Sequence, residues 1–314
     1  MKKYNVIFGI FLLSLLAISL LYFKFNFSYS TETDSNSSEK IGYLENNALA
    51  VAAFKDTGEP ILDNEFLHKN EESIASLELF LGHIMNEETT YGIIVMQDYI
   101  QSKFSCNGVK TKDLCRIKAK SNTEITIPLS LKVNPNTREL IILIVKEPDS
   151  MVKEMDIEQL FYYEQAYAKR YIIEGSDIKG ITFNYKDPDY IYDSEGDQNS
   201  IFFSRKQIDR QLISNIDSNQ KTYLHMGSTF VDKGVKYKVV AFENWNQAKI
   251  NNETTLDVKT QPKRTYVYEV TTSTVNMDTN LQLFAFPDPF ETINNDNLYK
   301  VHQTTRTVIE PKIR

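Results

Sequence analysis

Two cysteines, Cys106 and Cys115, are the only thiols in the chain, and they lie nine positions apart. Outside the cytoplasm such a pair is expected to form a disulfide, and two free thiols are the alternative in a compartment without oxidative folding. The bond would add at most about 3 kcal/mol through the entropy of the unfolded chain. A metal site is not expected here, because no histidine or second cysteine pair stands at ligand spacing.

An acidic run offers several carboxylates that could bind Ca²⁺, an ion that takes many oxygen ligands at once. The candidates are Asp187, Asp189, Asp193, Glu195 and Asp197. The EF-hand pattern fails when counted from Asp193, because Gln198 and Ser204 stand where the turn glycine and the terminal glutamate belong. We therefore favour a solvated loop between domains, with calcium binding as the alternative.

Sequence signatures of catalysis are missing. The histidines form no HExxH or other ligand pair, and the chain has no GxSxG elbow, phosphate-binding glycine loop or dinucleotide fingerprint. A triad assembled from distant residues remains the alternative, because triads are defined by geometry. We expect a protein that is not an enzyme and has no cofactor. A hydrolase of wall polymers would have to build its cleft from the acidic run.

The elements that must position these residues occur twice along the chain. Three blocks of the first copy recur in the same order in the second, at offsets of 146, 141 and 136 residues. The paired blocks are 91–104 with 237–250, 140–148 with 281–289, and 170–174 with 306–310. Gaps fall only where turn residues cluster, which indicates a duplication. The alternative is two strand-rich stretches that share a binary pattern by chance. The second copy lacks the cysteines, so their bond should trim a loop rather than hold up the fold.

Tyr99 and Trp245 occupy equivalent positions in the two copies. A large aromatic residue on a central strand of a sandwich usually lies at the centre of the core, which we favour over stacking on a ligand. Polar residues repeat around this pair, and they would either bond turns together or present a shared surface to a partner. They are Asp98 with Asn244, Gln101 with Gln247, and Lys103 with Lys249.

Alternating apolar residues predict about five short strands in each copy, plus a leading strand. Residues 72–85 also suit a helix, but the equivalent stretch 223–231 is too rich in Gly and Thr for one. Short helices are predicted within 155–169 and 205–216, the latter with a crossing strand as alternative. In pattern and size, residues 45–314 resemble the immunoglobulin-like domains of bacterial membrane-anchored surface proteins. The expected fold is all-β: two tandem antiparallel immunoglobulin-like β-sandwich domains after an N-terminal transmembrane helix.

Residues 4–23 form an uncharged apolar run with lysines on both sides, long enough to span a bilayer as a helix. Lys2 and Lys3 would hold the N-terminal end in the cytoplasm and export the remainder. A retained membrane anchor is favoured, and cleavage after residues 28–30 with secretion is the alternative. The predicted divisions are 1–3 as cytoplasmic end, 4–23 as transmembrane anchor or signal segment, 24–43 as polar tether, 44–174 as the first β-sandwich domain, 175–219 as a linker that partly contributes to the second, and 220–314 as the second domain.

The net charge of −7 and pI near 5.3 argue against a nucleic-acid partner, which needs a basic surface. We expect a membrane-anchored, extracytoplasmic binding or spacing module whose partner is an envelope protein or a cell-wall polymer. The alternative is an accessory or sensor subunit of a membrane complex.

Overall fold

In the computed structural model, the described residues are 48–63, 65–111, 113–163, 165–176, 180–194, 201–227, 233–291 and 300–312. The predicted anchor at 4–23 and tether at 24–43 lie outside them. Among the described residues, none of the helices has the length and apolar character needed to cross a membrane. Asn46–Arg314 form one compact unit.

Among the described residues, the first copy contains twelve strands and one short helix. They are β1 Ala48–Phe54, β2 Pro60–Ile61, β3 Phe66–Leu67, β4 Ile74–Ile84, β5 Thr89–Gln97, β6 Ile100–Gln101, β7 Phe104–Cys106, β8 Val109–Thr111, β9 Cys115–Ala119, β10 Thr123–Lys132, β11 Glu139–Lys146, α1 Ile157–Tyr163 and β12 Ala166–Ile173. The ambiguous stretch 72–85 is therefore the strand β4, as the comparison of the copies predicted. Helix α1 lies inside the predicted 155–169.

The remaining strands belong to the second copy. They are β13 Tyr190–Asp193, β14 Ile201–Ser204, β15 Asn215–Asp217, β16 Lys221–Gly227, β17 Lys236–Glu243, β18 Asn246–Ala248, β19 Leu256–Lys259, β20 Arg264–Thr271, β21 Thr279–Pro287, β22 His302–Gln303 and β23 Thr307–Glu310. The helix predicted within 205–216 is wrong, because that stretch consists of turns leading into β15.

Each copy is a sandwich of two sheets. In the first copy the strand orders are β2-β1-β4-β10-β7-β8 and β3-β12-β11-β5-β6, with β9 also on β5. This is the A-B-E-D and G-F-C arrangement of immunoglobulin domains. The second copy repeats the spatial order as β14-β16-β20-β13 and β15-β23-β21-β17-β18, with β19 on β17 and β22 on β21. Its D position is filled by β13, which precedes β14 in the chain. The all-β, immunoglobulin-like prediction is confirmed for the described residues.

Strand registers confirm the duplication. Gln97 pairs with Leu140 in the first copy, and Glu243 pairs with Leu281 in the second. These pairs are related by the sequence offsets 146 and 141. In the neighbouring ladders, Leu140 of β11 pairs with Tyr171 of β12, and Leu281 of β21 pairs with Thr307 of β23, at offsets of 141 and 136. The repeated blocks therefore occupy equivalent places in the two sandwiches.

The two sandwiches pack against each other sheet to sheet. Alternate residues of β5 point into different layers: Ile93 and Val95 belong to the core of the first sandwich, whereas Ile94 and Met96 belong to a separate apolar cluster. We call that cluster and its flanking polar contacts the seam. Its buried apolar members are Ile94, Met96, Tyr99, Ile141, Leu143, Val145, Val240, Phe242, Trp245, Phe284, Phe286, Phe290 and Val301. The strands at the seam are thus buried on both faces, and the molecule has four sheet layers.

Candidate functional site

Two equivalent hairpin turns reach into the seam. Asp98 and Tyr99 connect β5 to β6 with φ of 48° and 69°, and Asn244 and Trp245 connect β17 to β18 with φ of 45° and 66°. Two-residue hairpins with positive φ at both positions are type I′ turns, which normally carry glycine at the second position. A bulky aromatic residue there is unusual and persists only where its surroundings hold it.

The aromatic rings of the turns are held by the opposite copy. Tyr99 is fully buried, with its ring centroid 5.4 Å from that of Phe286 and 5.3 Å from that of Phe290. Trp245 is 4% exposed, and its Nε1 donates to the carbonyl of Pro148 at 2.5 Å. The predicted burial of both residues is confirmed. Their predicted place at the centre of a sandwich is wrong, because they fill the space between the two sandwiches.

A reciprocal pair of glutamines links the turns. The backbone amide of Gln101 donates to the side-chain Oε1 of Gln247, and the backbone amide of Gln247 donates to the side-chain Oε1 of Gln101, both at 2.7 Å. Each Nε2 then donates to the backbone carbonyl of the opposite aromatic residue, Gln101 to Trp245 at 2.8 Å and Gln247 to Tyr99 at 2.7 Å. The contacts obey a pseudo-twofold symmetry. The repeated glutamines therefore bond the turns together, the first of the two predicted roles.

Two buried arginines obey the same symmetry. Arg170 donates to the carbonyls of Pro287 at 2.6 Å and Asp288 at 3.1 Å in the second copy. Arg306 donates to the carbonyls of Lys146 and Glu147 in the first copy, the latter at 2.5 Å. The acceptors are equivalent at an offset of 141 residues. In the immunoglobulin lettering, β11 and β21 are the F strands and β12 and β23 are the G strands. An arginine at the G strand of each copy thus binds the start of the loop that follows the F strand of the other copy.

The symmetry breaks at the carboxylate beside the arginine. Glu139 Oε1 accepts from Nε of Arg170 at 2.6 Å, and its Oε2 accepts from the Tyr99 hydroxyl and the Phe290 amide, both at 2.8 Å. Burial opposes the charge of Arg170, but the charge interactions and hydrogen bonds with Glu139 and Tyr99 together outweigh it and hold the pKa of Arg170 above its usual value.

The equivalent residue of Glu139 in the second copy is Asn280, whose side chain is shorter. Its Oδ1 and the Nε of Arg306 are both buried without a hydrogen-bond partner. Burial lowers the pKa of Arg306 to about 10. Its guanidinium lies 5.1 Å from the ring centroid of Trp245 and 5.4 Å from that of Tyr163, so backbone carbonyls and aromatic faces stabilise it in place of a carboxylate.

The disulfide between Cys106 and Cys115 is present, as predicted. Cys106 lies on β7 in one sheet and Cys115 on β9 in the other, and both belong to the core of the first sandwich. The expectation that the bond only trims a loop is therefore wrong. It joins the two sheets and fixes the β7–β8 hairpin at the open edge of β10.

The acidic run flanks β13, the edge strand of the second sandwich. Asp189 Oδ2 accepts from the backbone amide of Glu269 at 2.6 Å, and Asp193, with its side chain 91% exposed, lies 3.8 Å from Arg264. Glu195 and Asp197 lie outside the described residues. Within the part of the run that the structure describes, no cluster of three metal-ligating side chains forms. Calcium binding by Asp187, Asp189 and Asp193 stays a prediction.

The β13 edge is the candidate binding site. β13 pairs with β20 on one side, and no other described strand pairs with it. The Ser194 amide donates to the Lys263 carbonyl at 2.9 Å. Because hydrogen-bonded and free positions alternate in an antiparallel ladder, the backbone groups of Ile191 and Asp193 point away from β20. Tyr190 and Ile191 are each 40% exposed at this edge.

A serine and a histidine also meet beneath residues 205–210, a pair that the sequence did not indicate. The Ser204 hydroxyl donates to the Lys206 carbonyl and lies 2.7 Å from His225 Nε2, so His225 donates through Nε2. Phe202 stacks on the imidazole with ring centroids 4.5 Å apart, and burial lowers the pKa of His225 to about 4. Both residues are fully buried. A hydroxyl enclosed and committed in this way is a packing element and not an accessible nucleophile.

Strand order and seam define the class: an all-β protein of two immunoglobulin-like sandwiches packed face to face. No family model matches the chain. No curated protein matches it.

Similar solved structures include the CARDB domain of the PF1109 protein from Pyrococcus furiosus in complex with di-metal ions, at 12% identity over 46% of this chain and 99% of that chain, with a TM-score of 0.24. The Salmonella enterica SafA pilin in complex with the SafB chaperone gives 8% identity over 82% and 96%, with a TM-score of 0.25. Red sea bream transglutaminase gives 5% over 86% and 32%, with a TM-score of 0.20. At these values the similarities carry no argument about function.

Proposed function

We propose that this protein is a membrane-anchored, extracytoplasmic binding or spacing module without catalytic activity, in which the two sandwiches act as one rigid block. The observation that carries the proposal is the seam. Domains of one chain move relative to each other by default, unless their interface is large and apolar. Here two sheets bury a continuous apolar cluster, and reciprocal glutamine and arginine contacts fix its register.

Rigidity suits a module that holds a partner at a set distance and angle. The apolar run at 4–23 and the polar stretch at 24–43 support the anchored, exported part of the proposal. Binding surfaces belong on the edges that the seam leaves free. The copies differ most at one such edge: β10 carries the disulfide-closed β7–β8 hairpin, and β20 carries β13 with its acidic flanks.

A distance measurement tests the rigid block. Cysteines at the exposed positions Thr126 and Ile208, one in each copy, would carry spin labels in the full chain. We expect a narrow distribution of label distances by pulsed electron paramagnetic resonance. The matched control adds Gln101→Ala and Gln247→Ala, which should broaden it. A broad distribution in the parent chain would refute the rigid module.

Export and partnership need separate measurements. Protease added to intact cells should digest the folded part, and protection from digestion would contradict an extracytoplasmic location. Purification in detergent distinguishes the module from the alternative, a subunit of a membrane complex, because a subunit should co-purify with other membrane proteins in fixed proportion.

A further inference from the structure

The free edge of β13 has an occupied counterpart in the first copy. There β7 lies on the same side of β10 as β13 does on β20, toward the opposite end of the strand. On the outer side of β7 the chain adds β8, which pairs Val109 with Cys106 and Thr111 with Phe104. The first copy thus adds one further strand of its own beyond β7, and β8 is the last strand of that sheet. The second copy ends at β13 among the described strands.

We infer that the edge of β13 binds an extended segment of a partner protein as an additional strand of the second sandwich. Strand addition of this kind draws affinity from main-chain hydrogen bonds and specificity from alternate side chains. The outward backbone groups of Ile191 and Asp193 provide the hydrogen bonds, and the exposed side chains of Tyr190 and Ile191 provide apolar contact. The inference rests on the proposed function, because it names the site and partner of that binding module.

The partner's chemistry follows from charge and from β8. Asp187 and Asp193 flank the edge, and Asp193 is 91% exposed, with its contact to Arg264 at 3.8 Å, so a partner strand with basic residues complements it. β8 reads Val-Lys-Thr, which alternates β-branched residues with lysine. We commit to a partner segment of that composition. An acidic strand would place its carboxylates beside Asp187 and Asp193, and a polymer without a peptide backbone could not continue the ladder of main-chain hydrogen bonds.

One substitution separates main-chain pairing from side-chain contact. Ile191→Pro removes an amide that points away from β20, and an edge position of this kind tolerates proline because no bond inside the sheet is lost. Ile191→Val keeps the amide and serves as the matched control. Asp193→Lys reverses the charge without touching the backbone.

The probe is a capped synthetic peptide, Val-Lys-Thr-Lys-Val-Lys, titrated against the full chain in detergent, with the lysines replaced by glutamates in a second peptide. We expect the lysine peptide to bind, Ile191→Pro and Asp193→Lys to weaken it at least about tenfold, and Ile191→Val to leave it within about twofold. Unfolding followed by Trp245 fluorescence checks that the variants stay folded.

The inference would be overturned if the parent chain did not bind the lysine peptide, or if Ile191→Pro and Asp193→Lys bound it as tightly as the parent does. Equal binding of the glutamate peptide would contradict it as well. Self-association of the chain that Ile191→Pro abolishes would also overturn it, since the occupant would then be a second copy. The label-distance measurement is independent of these titrations, so failure here leaves the rigid module standing.

Discussion

Substituting Glu139 by glutamine should destabilise the seam far more than substituting the equivalent Asn280 by alanine. Glu139 is fully buried and accepts from three donors: Arg170 Nε at 2.6 Å, the Tyr99 hydroxyl at 2.8 Å and the Phe290 amide at 2.8 Å. Glutamine keeps the volume but turns one acceptor into a donor. Either orientation of its amide therefore places a donor against a donor and leaves Arg170 charged in a buried site.

Removing one partner of a buried ion pair costs about 3–5 kcal/mol, because the other charge stays buried and unpaired. Asn280→Ala is the matched control. The side chain of Asn280 donates from Nδ2 to the Ser150 carbonyl at 2.9 Å, and its Oδ1 has no partner. Removing this side chain should therefore lower the free energy of unfolding by about 1 kcal/mol. The expected difference between the two variants is about 2–4 kcal/mol.

Equilibrium unfolding in urea measures this difference. Trp245 is the only tryptophan in the chain and lies in the seam, so its fluorescence reports on the contact between the copies. Far-ultraviolet circular dichroism follows the strands in parallel. We expect Glu139→Gln to shift the fluorescence transition to lower urea than Asn280→Ala does. Transitions that coincide within about 0.5 kcal/mol would refute the argument that the buried carboxylate carries the asymmetry of the seam.

Three further outcomes follow from the contacts. Gln101→Ala should cost about 1–3 kcal/mol, because the Gln101 side chain accepts from the backbone amide of Gln247 and donates to the backbone carbonyl of Trp245, and its loss leaves both groups without that partner; a loss below about 0.5 kcal/mol in urea unfolding would contradict the reciprocal bonding. Replacing Cys106 and Cys115 by alanine should lower the free energy of unfolding by about 2–3 kcal/mol and increase hydrogen exchange of the backbone amides in β7–β9 first. An equal increase in exchange across both copies would be inconsistent with a bond that acts within the first sandwich. Burial lowers the pKa of His225 to about 4, against about 6.5 in the unfolded chain. The neutral imidazole therefore contributes up to about 3 kcal/mol to the free energy of unfolding above pH 6.5, and this contribution is lost as the pH falls toward 4. Unfolding of His225→Gln should therefore depend less on pH in that window, and identical profiles would count against the buried neutral imidazole.

The repeat and the alternation of apolar residues allowed the strands to be predicted, but not which strands pair. Turn residues and half-buried alternation fix a strand such as β10 locally, and the offsets between copies place its equivalent in the second copy. The disulfide was predictable because Cys106 and Cys115 are the only cysteines and lie nine positions apart. What it joins was not, because Cys106 and Cys115 lie on strands of different sheets that only the fold brings together.

The seam left a signal that the interpretation of the sequence missed. Leu140–Val145 (LIILIV) is a run of six apolar residues on β11, all buried. A strand with one solvated face alternates, whereas an uninterrupted apolar run indicates burial on both faces. The seam was thus detectable as a second buried face. The placement of β13 was not, because its pairing with β20 depends on residues more than 70 positions apart.

The seam has the geometry of a symmetric dimer inside one chain. The same surface of each copy contacts the other, so that Gln101 meets Gln247 and the two arginines reach equivalent carbonyls, as in an isologous interface. A true homodimer could not hold Glu139 beside one arginine and an asparagine beside the other, because both halves would carry the same residue. Duplication within one chain removes that constraint. The same freedom applies at the sheet edges, where one copy extends its sheet with β8 and the other ends at β13 among the described strands.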